Sequence, residues 1–316
     1  MHPIIPFEPI STDTIPKGEN WIAQIKWDGV RILTYYDGTR VQLFNRKKRE
    51  RTEHYPELHN VKSFCHADAV ILDGEMIALG ADGKPSFHEV MRRDGLRRLE
   101  RVKYVKKDVP ISYMVFDILF YNGQWITDWR LQERLDLLNK ILVPNDHIHL
   151  VSSHPSREIH SVFEVVQQHG MEGIVMKDLK SPYFINEKND RWQKKKNYKD
   201  LIGVVGGITL RDNVVNALLL GLYDSEGNLW YIGHAGTGKL KQSEWRHFTR
   251  TILPFIIETR PFINQPDRHE EAIWVSPVIT VKIQYIEWKE GRSVRQPSIQ
   301  AFVDVPPNEC LLPERI

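Results

Sequence analysis

"IKWDGVR", residues 25–31, is the stretch on which the reading of the whole chain turns. An apolar run ends in Lys26, and an Asp-Gly pair and Arg31 follow at once. The ordinary reading is a strand that closes in a β-turn, because Asp-Gly is a common turn pair. On that reading residues 20–45 form strands in hairpins: "WIAQIKW", "VRILTYY", the turn Asp37-Gly38, and "RVQLF". Whether Lys26 is incidental to a turn or placed for chemistry depends on what the rest of the chain brings to it.

The chain has 316 residues, 41% of them hydrophobic, enough for a sizeable core and two domains. Its two cysteines, Cys65 and Cys310, exclude a disulfide framework and a cysteine-rich zinc site. The opening "MHPIIPFEPISTDTIPKGENW" lacks the basic and apolar regions of a signal peptide, and no stretch approaches the roughly 20 apolar residues that span a bilayer. A soluble, cytoplasmic protein with no membrane partner is expected. The net charge of +2 says little, but two runs are strongly basic: "KPSFHEVMRRDGLRRLERVKYVKK" at 84–107 and "KNDRWQKKKNYK" at 188–199. A single such run is usually a solvated face. Two of them, the second interleaved with Trp192 and Tyr198, point to a polyanion surface.

Further apolar runs are "AVILDGEMIAL" (69–79), with an acidic pair in its middle, and "ISYMVFDILFY" (111–121). In "WRLQERLDLLNKILV" (129–143), Leu131, Leu135, Leu138 and Ile141 recur at helical spacing, and a shorter helix is predicted over 157–169. Strands and helices mix without regular alternation, so the class is α+β with antiparallel sheets. From "DLIGVVGGITL" onward the pattern changes to short strands separated by turns, with one helical segment near 241–257. That suits a small Greek-key barrel such as an OB-fold. The domains expected are 1–199 and 200–316.

Polar residues that interrupt apolar strands are costly unless paired or functional. Here they are Lys26, Asp73, Glu75, Asp117, Glu172 and Lys177, followed by Lys194 and Lys196. Each alone fits a strand end, an outward position or a structural ion pair. Together they supply a nucleophilic lysine, carboxylates for a divalent metal and a lysine cluster for phosphate charge, which suits triphosphate chemistry.

"KWDGVR" resembles the K-x-D-G-x-R motif of the covalent nucleotidyltransferases, the superfamily of DNA ligases, RNA ligases and mRNA capping enzymes. The superfamily's other motifs follow in order: "NRKKRE" with Arg46, "LDGEM" with Glu75, "VFDIL" with Phe116, "EGIVMK" with Glu172, and "WQKKK" with Lys194 and Lys196. In the second half, "YIGHAGTG" and "WVSPVITVKIQYIEWKEGRSVRQP" resemble the OB domain of bacterial ATP-dependent DNA ligases of the end-joining type. The resemblance covers residues 20 to about 300. It implies an adenylation (nucleotidyltransferase) domain followed by an OB-fold.

It also implies roles. Lys26 would attack the α-phosphorus of ATP and form lysyl-AMP, after losing a proton that a free lysine holds up to a pKa of about 10.4. Asp28-Gly29 would turn the chain so that Lys26 points into the pocket, and Arg31 would face the phosphates. Gln24, Arg31, Arg46, Glu75, Phe116, Lys194 and Lys196 would bind ATP, with Phe116 stacked on adenine. Glu75 and Glu172 would hold Mg²⁺ or Mn²⁺. Arg92, Arg93, Arg97 and Arg98 in the first basic run would bind nicked or broken duplex DNA, with a Ku-like end-binding protein as a further partner and the ligase itself a monomer.

Two departures from the family pattern stand out. Gln24 occupies a place where many relatives have Glu; its carbonyl can still accept from the adenine amino group, so base selectivity is expected to survive. After Arg295, "RQPSIQAFVDVPPNE" offers Val303, Asp304, Val305 and Pro306 where the family has cations that orient the leaving pyrophosphate. Loading of AMP is therefore expected to suffer more than sealing, with Arg292 or Arg295 as the compensating cation. The alternatives are an RNA ligase or capping-type transferase, against which the second half argues, and a degenerate DNA-end-binding protein, against which Lys26, Glu75 and Glu172 argue.

Overall fold

Lys26 stands where the chain crosses from one sheet to another. The computed structural model describes residues 1–238, 240–267, 269–288, 291 and 293–313. The chain divides into two units, Met1–Asn197 and Tyr198–Ile316. The first runs β1 (Glu8–Ser11), β2 (Trp21–Ile25), β3 (Val30–Tyr36), β4 (Val41–Asn45), β5 (Val70–Ile77), α1 (Phe87–Asp94), α2 (Val102–Asp108), β6 (Ser112–Tyr121), β7 (Gln124–Trp125), α3 (Leu131–Ile141), β8 (Ile148–Leu150), β9 (His154–Pro155), α4 (Ile159–Gln168), β10 (Gly173–Asp178) and β11 (Lys188–Lys196).

These strands form two sheets, ordered β1-β11-β10-β2-β9 and β4-β3-β5-β6-β7, with β8 parallel to β6. The hairpin expected between β2 and β3 does not form, because the two strands belong to different sheets. Residues 26–29 are a crossing rather than a turn. The Lys26 amide continues the ladder to the Gly173 carbonyl. Gly29 lies so near β5 that a Cβ there would run into the Met76 carbonyl oxygen. Glycine is needed for this close backbone approach. The hairpin at Asp37-Gly38 does form between β3 and β4: Gly38 has φ +100°, and Asp37 Oδ1 accepts from the Thr39 and Arg40 amides.

The two sheets face each other across Phe7, Leu33, Ile71, Leu119, Tyr183 and Trp192. On the far side of the first sheet, Ile159 and Val166 of α4 pack on Trp21, Ala23, Ile174 and Met176. The far side of the second is covered by Leu58, Phe64, Val90, Leu138 and Ile141. All four apolar positions predicted on α3 are buried, two toward Ile22 and two toward the large core. Removing such stripes from water is the main force that seats the helices.

The second unit runs β12 (Lys199–Arg211), β13 (Val214–Tyr223), β14 (Leu229–Ala235), β15 (Thr237–Gly238), α5 (Gln242–Ile252), β16 (Ile273–Tyr285) and β17 (Ser298–Val303). They form one sheet, β14-β13-β12-β16-β17-β15, antiparallel except for β15 with β17, and this is the expected OB-fold. Its strands are not all short: β12 and β16 have 13 residues each. In β12 the ladders to both neighbours shift between Val205 and Gly207, and Phe262 packs where a side chain on Gly206 would lie. This bulge bends a long strand so that the sheet can curl, and in sequence it reads as a break between short strands.

Candidate active site

Strand register gathers the polar residues into one cleft. In the first sheet Val175 of β10 lies opposite Gln24 of β2 and Lys194 of β11, while Gly173 lies opposite Lys196. Lys177 lies opposite Ile22 and Trp192. Alternate residues share a face, so Gln24, Lys26, Lys177, Trp192, Lys194 and Lys196 look the same way. In the facing sheet Arg31 of β3 lies opposite Glu75 of β5, and Leu33 opposite Asp73.

Lys26 Nζ donates to Glu172 Oε2 at 2.6 Å, and Lys196 Nζ is 3.8 Å from the other oxygen of that carboxylate. Glu172 is buried, and two ammonium groups flank its side chain. Burial pushes the Glu75 carboxyl up to about 8; Lys26 and Arg31 oppose the shift, and Glu172 and Asp73 add to it. Lys194 is held below its usual range by burial and by the positive charges of Lys26 and Lys188. The sequence motifs therefore converge on a cluster in which carboxylates and lysines control one another's charge.

Arg31 does not face outward toward a phosphate, as the motif implied. Its guanidinium binds Asp73 through Nε at 2.9 Å and Nη2 at 2.6 Å, the Phe7 carbonyl at 2.7 Å and the Tyr183 hydroxyl at 3.2 Å. Tyr183 also donates to Asp73 at 2.7 Å. The arginine is a clamp that joins the N-terminal segment, both sheets and the loop before β11. Nothing in the sequence marked Phe7 or Tyr183, because both meet Arg31 only through tertiary packing.

Trp192, on the sheet face shared by Lys26, belongs to an aromatic cluster. Phe116 packs edge-on to Trp192, with Lys177 Nζ 4.2 Å from the Phe116 ring and 4.0 Å from the Trp192 ring. Lys177 Nζ has no hydrogen-bond partner among the described residues, and burial brings its pKa down to about 7, against the opposing charges of Asp117 and Asp73. Asp117, next to Phe116, is held by Arg134 of α3 at 2.8 and 3.0 Å, with both side chains fully buried. Gln24 is 2% exposed and donates through Nε2 to Ser153 Oγ at 3.0 Å.

The remaining predicted residues lie farther out. Arg46 is exposed, 3.8 Å from Glu8 across a surface pair that contributes little stability. Arg92, Arg97 and Arg98 are exposed, Arg92 with Glu89 at 2.5 Å. Arg93 is not a surface residue. It is fully buried, donates to Glu57 at 2.6 Å and to the Val109 carbonyl at 3.1 Å, and cannot reach DNA from there. Charge alone placed it with its neighbours, whereas the helical period turns it inward. In the second unit, Arg295 lies 3.9 Å from Glu287, Val303 pairs with Thr280, and Arg292 is outside the described residues.

Among the described residues no three His, Cys, Asp or Glu side chains form a metal cage. The donor set nonetheless fits a hard cation that takes its other ligands from phosphate and water: the Glu172 charge adds to what disfavours the Glu75 anion, and a cation would relieve that.

Residues 7–196 match the family model of the ATP dependent DNA ligase domain, and residues 211–304 that of the ATP dependent DNA ligase C terminal region. The chain is 28% identical over 298 residues to the multifunctional non-homologous end joining DNA repair protein LigD of Mycobacterium tuberculosis, covering 89% of this chain and 36% of that protein. It is 30% identical over 194 residues to the SPbeta prophage-derived DNA ligase-like protein LigB of Bacillus subtilis, covering 61% of this chain and 67% of that protein. A solved structure of mycobacterial DNA ligase D complexed with ATP and MES aligns with a TM-score of 0.53 and 26% identity over 98% of both chains. Motifs, fold and family models thus agree, and the chain belongs to the ATP-dependent DNA ligase domain family.

Proposed function

We propose that this chain is a DNA ligase that seals 5′-phosphate/3′-hydroxyl breaks in duplex DNA through a lysyl-AMP intermediate, with residues 1–199 as the adenylation domain and 200–316 as the OB-fold domain. The observation that carries the proposal is the Lys26–Glu172–Lys196 cluster, whose two lysines share a sheet face with Trp192. Lys26 Nζ attacks the α-phosphorus of ATP. A P–N bond forms, the bond to the bridging oxygen breaks, and pyrophosphate leaves. Glu172 Oε2, already hydrogen-bonded to Nζ, is the nearest group placed to receive its proton. A DNA 5′-phosphate then displaces Lys26 from AMP, and the 3′-hydroxyl displaces AMP and closes the strand. Each displacement needs in-line positioning and neutralised charge more than a conventional acid–base pair.

Lys194 and Lys196 neutralise the α-phosphate, and Phe116 lies against adenine. Glu75 and Glu172 would hold Mg²⁺ or Mn²⁺, which would neutralise phosphate charge. Arg92, Arg97 and Arg98 would hold the duplex by its backbone, a contact that weakens with salt and ignores sequence. The same reading makes the protein a cytoplasmic monomer, recruited to breaks by a Ku-like end-binding protein. The chain spans 36% of the length of the mycobacterial LigD protein, so pathway and partners rest on this proposal alone. The test is intact mass after incubation with ATP and Mg²⁺, followed by sealing of nicked DNA against nicked RNA. An adduct of one AMP and closure of DNA are expected; no adduct, or preference for RNA, would refute the assignment.

A further inference from the structure

The excursion between β5 and β6, residues 78–111, leaves and rejoins its sheet at Ile77 and Ser112, which lie opposite each other. Gly29 passes Met76 at that same end of β5, so the excursion is rooted beside the crossing that carries Lys26. Its helix α2 is seated by a short apolar stripe: Val102 is buried, and Val105 and Val109 pack on the large core. Tyr104 lies off that stripe. It is 63% exposed, more than any other large apolar or aromatic residue described, so the packing of the helix does not account for it. Arg97, Arg98, Arg101, Lys103, Lys106 and Lys107 are exposed in the same run, against one exposed carboxylate between them, Glu100. Lys103 Nζ lies 4.9 Å from the centroid of the Tyr104 ring. Arg101 and Lys107 stand three residues before and after Tyr104, the spacing of neighbours on a helix surface.

We propose that Tyr104 is a stacking platform for an unpaired base, and that this face of α2 takes a single-stranded extension of a DNA end. The inference rests on the DNA-ligase reading and adds to its substrates duplex ends that carry an overhang. Cations alone fit any polyanion, and an intact duplex is held by its phosphates while its base faces stay hidden in the stack. A bare aromatic ring among cations fits a strand that has left the duplex: phosphates meet Arg101 and Lys107, and a base lies on the ring, whose face carries no sequence preference. Lys103, already beside the ring, adds charge to the same contact. Arg97 and Arg98, which precede α2, hold the duplex, and α2 takes the strand that continues beyond it. An acidic protein would use the arginines and lysines and leave the ring without a purpose.

The experiment is fluorescence anisotropy of the full chain in EDTA with labelled forms of one duplex: blunt, with a short unpaired extension, and with that extension made abasic. Extensions are tested at the 3′ and at the 5′ end, and a preference at either counts. Wild type should bind the extended duplex about tenfold tighter than the blunt one, the gain expected of one stacked base, and the abasic extension should lose most of that gain. Tyr104→Ala should lose it as well, with melting temperature, blunt-duplex affinity and the slope of log K against log salt unchanged, because stacking releases no counterions. Tyr104→Phe should keep it. Wild type that binds blunt and extended duplexes equally, an abasic extension that binds as well as one with bases, or Tyr104→Ala weakened equally on both duplexes would overturn the inference. So would Tyr104→Phe behaving as Tyr104→Ala. Intact mass with ATP and Mg²⁺ separates it from the catalytic reading: the expected binding pattern without a covalent AMP supports the platform and refutes ligation. AMP loading and nick sealing without the preference refute the platform alone.

Discussion

Lys26 and Glu172, 146 residues apart in sequence, meet in a 2.6 Å ion pair at the mouth of the cleft. The pair holds the Lys26 ammonium in place. Lys26→Ala should abolish covalent attachment of AMP. Lys26→Arg should fail equally, although it can keep the ion pair, because a guanidinium with a pKa above about 12 remains protonated. Intact mass after incubation with ATP and a divalent cation is the measurement. Adduct formation by either variant would remove Lys26 from the mechanism.

Glu75 connects the site to pH. Its carboxyl ordinarily titrates near 4.5 and is pushed up to about 8 by burial in the fold. Below pH 4.5 both folded and unfolded chains hold the proton, and no penalty arises. As pH rises from 4.5 towards 8 the unfolded chain releases the proton and the folded chain keeps it, so stability falls across that window, by a few kcal/mol at most on an order-of-magnitude scale. Glu75→Gln should therefore melt several degrees above wild type at pH 9 and level with it at pH 4. Melting curves at the two pH values decide it; a variant equally displaced at both would mean that Glu75 is not held protonated by burial.

The limits of sequence reading follow from the same residues. Lys26, Glu75, Glu172 and Lys196 were legible because each stands in or at the end of a strand-forming stretch, and polar atoms in such places need a reason. The strands β2 to β6 and the helices α3 and α4 were legible from their sequence pattern, whereas β1, the short strands β7, β8 and β9 and the helices α1 and α2 were not. The crossing at residues 26–29 was not, because Asp-Gly signals a turn and only the nearby Met76 carbonyl shows why Gly29 is required. Arg31 was misjudged for a related reason: its partners Asp73, Phe7 and Tyr183 come from three separate segments. Local pattern carries no information about such contacts.

The basic run at 84–107 divides into two kinds of arginine. Arg97 and Arg98 are exposed, so Arg97→Ala and Arg98→Ala should leave melting unchanged and weaken duplex binding. Each should also reduce the slope of log K against log salt by about 0.9 if it contacts one phosphate. Arg93→Ala should do the opposite: it strands Glu57 beside a buried gap and should cost about 3–5 kcal/mol of stability. Binding isotherms at several salt concentrations, read beside denaturant curves, separate the two. A salt slope unmoved by Arg97→Ala and Arg98→Ala together would place the DNA elsewhere.

The end of the second unit bears on which step is slow. Where the family has cations for the departing pyrophosphate, this chain has Val303 in β17, paired with Thr280, and then Asp304, Val305 and Pro306. Arg295, an upstream cation that could compensate, is already 3.9 Å from Glu287. Negative charge builds on the leaving group as the P–O bond breaks, and loss of a donor that meets such charge costs about 10²–10³ in rate. Loading of AMP from ATP should be slow by that margin, or need high ATP. Sealing of a strand that already carries 5′-AMP bypasses the step and should proceed normally. Glu287→Gln should speed loading if it frees Arg295 for the pyrophosphate, and should leave sealing alone. Single-turnover kinetics of the two steps on one preparation provide the test. Loading as fast as sealing at ordinary ATP would show that the missing cations are supplied elsewhere or never needed.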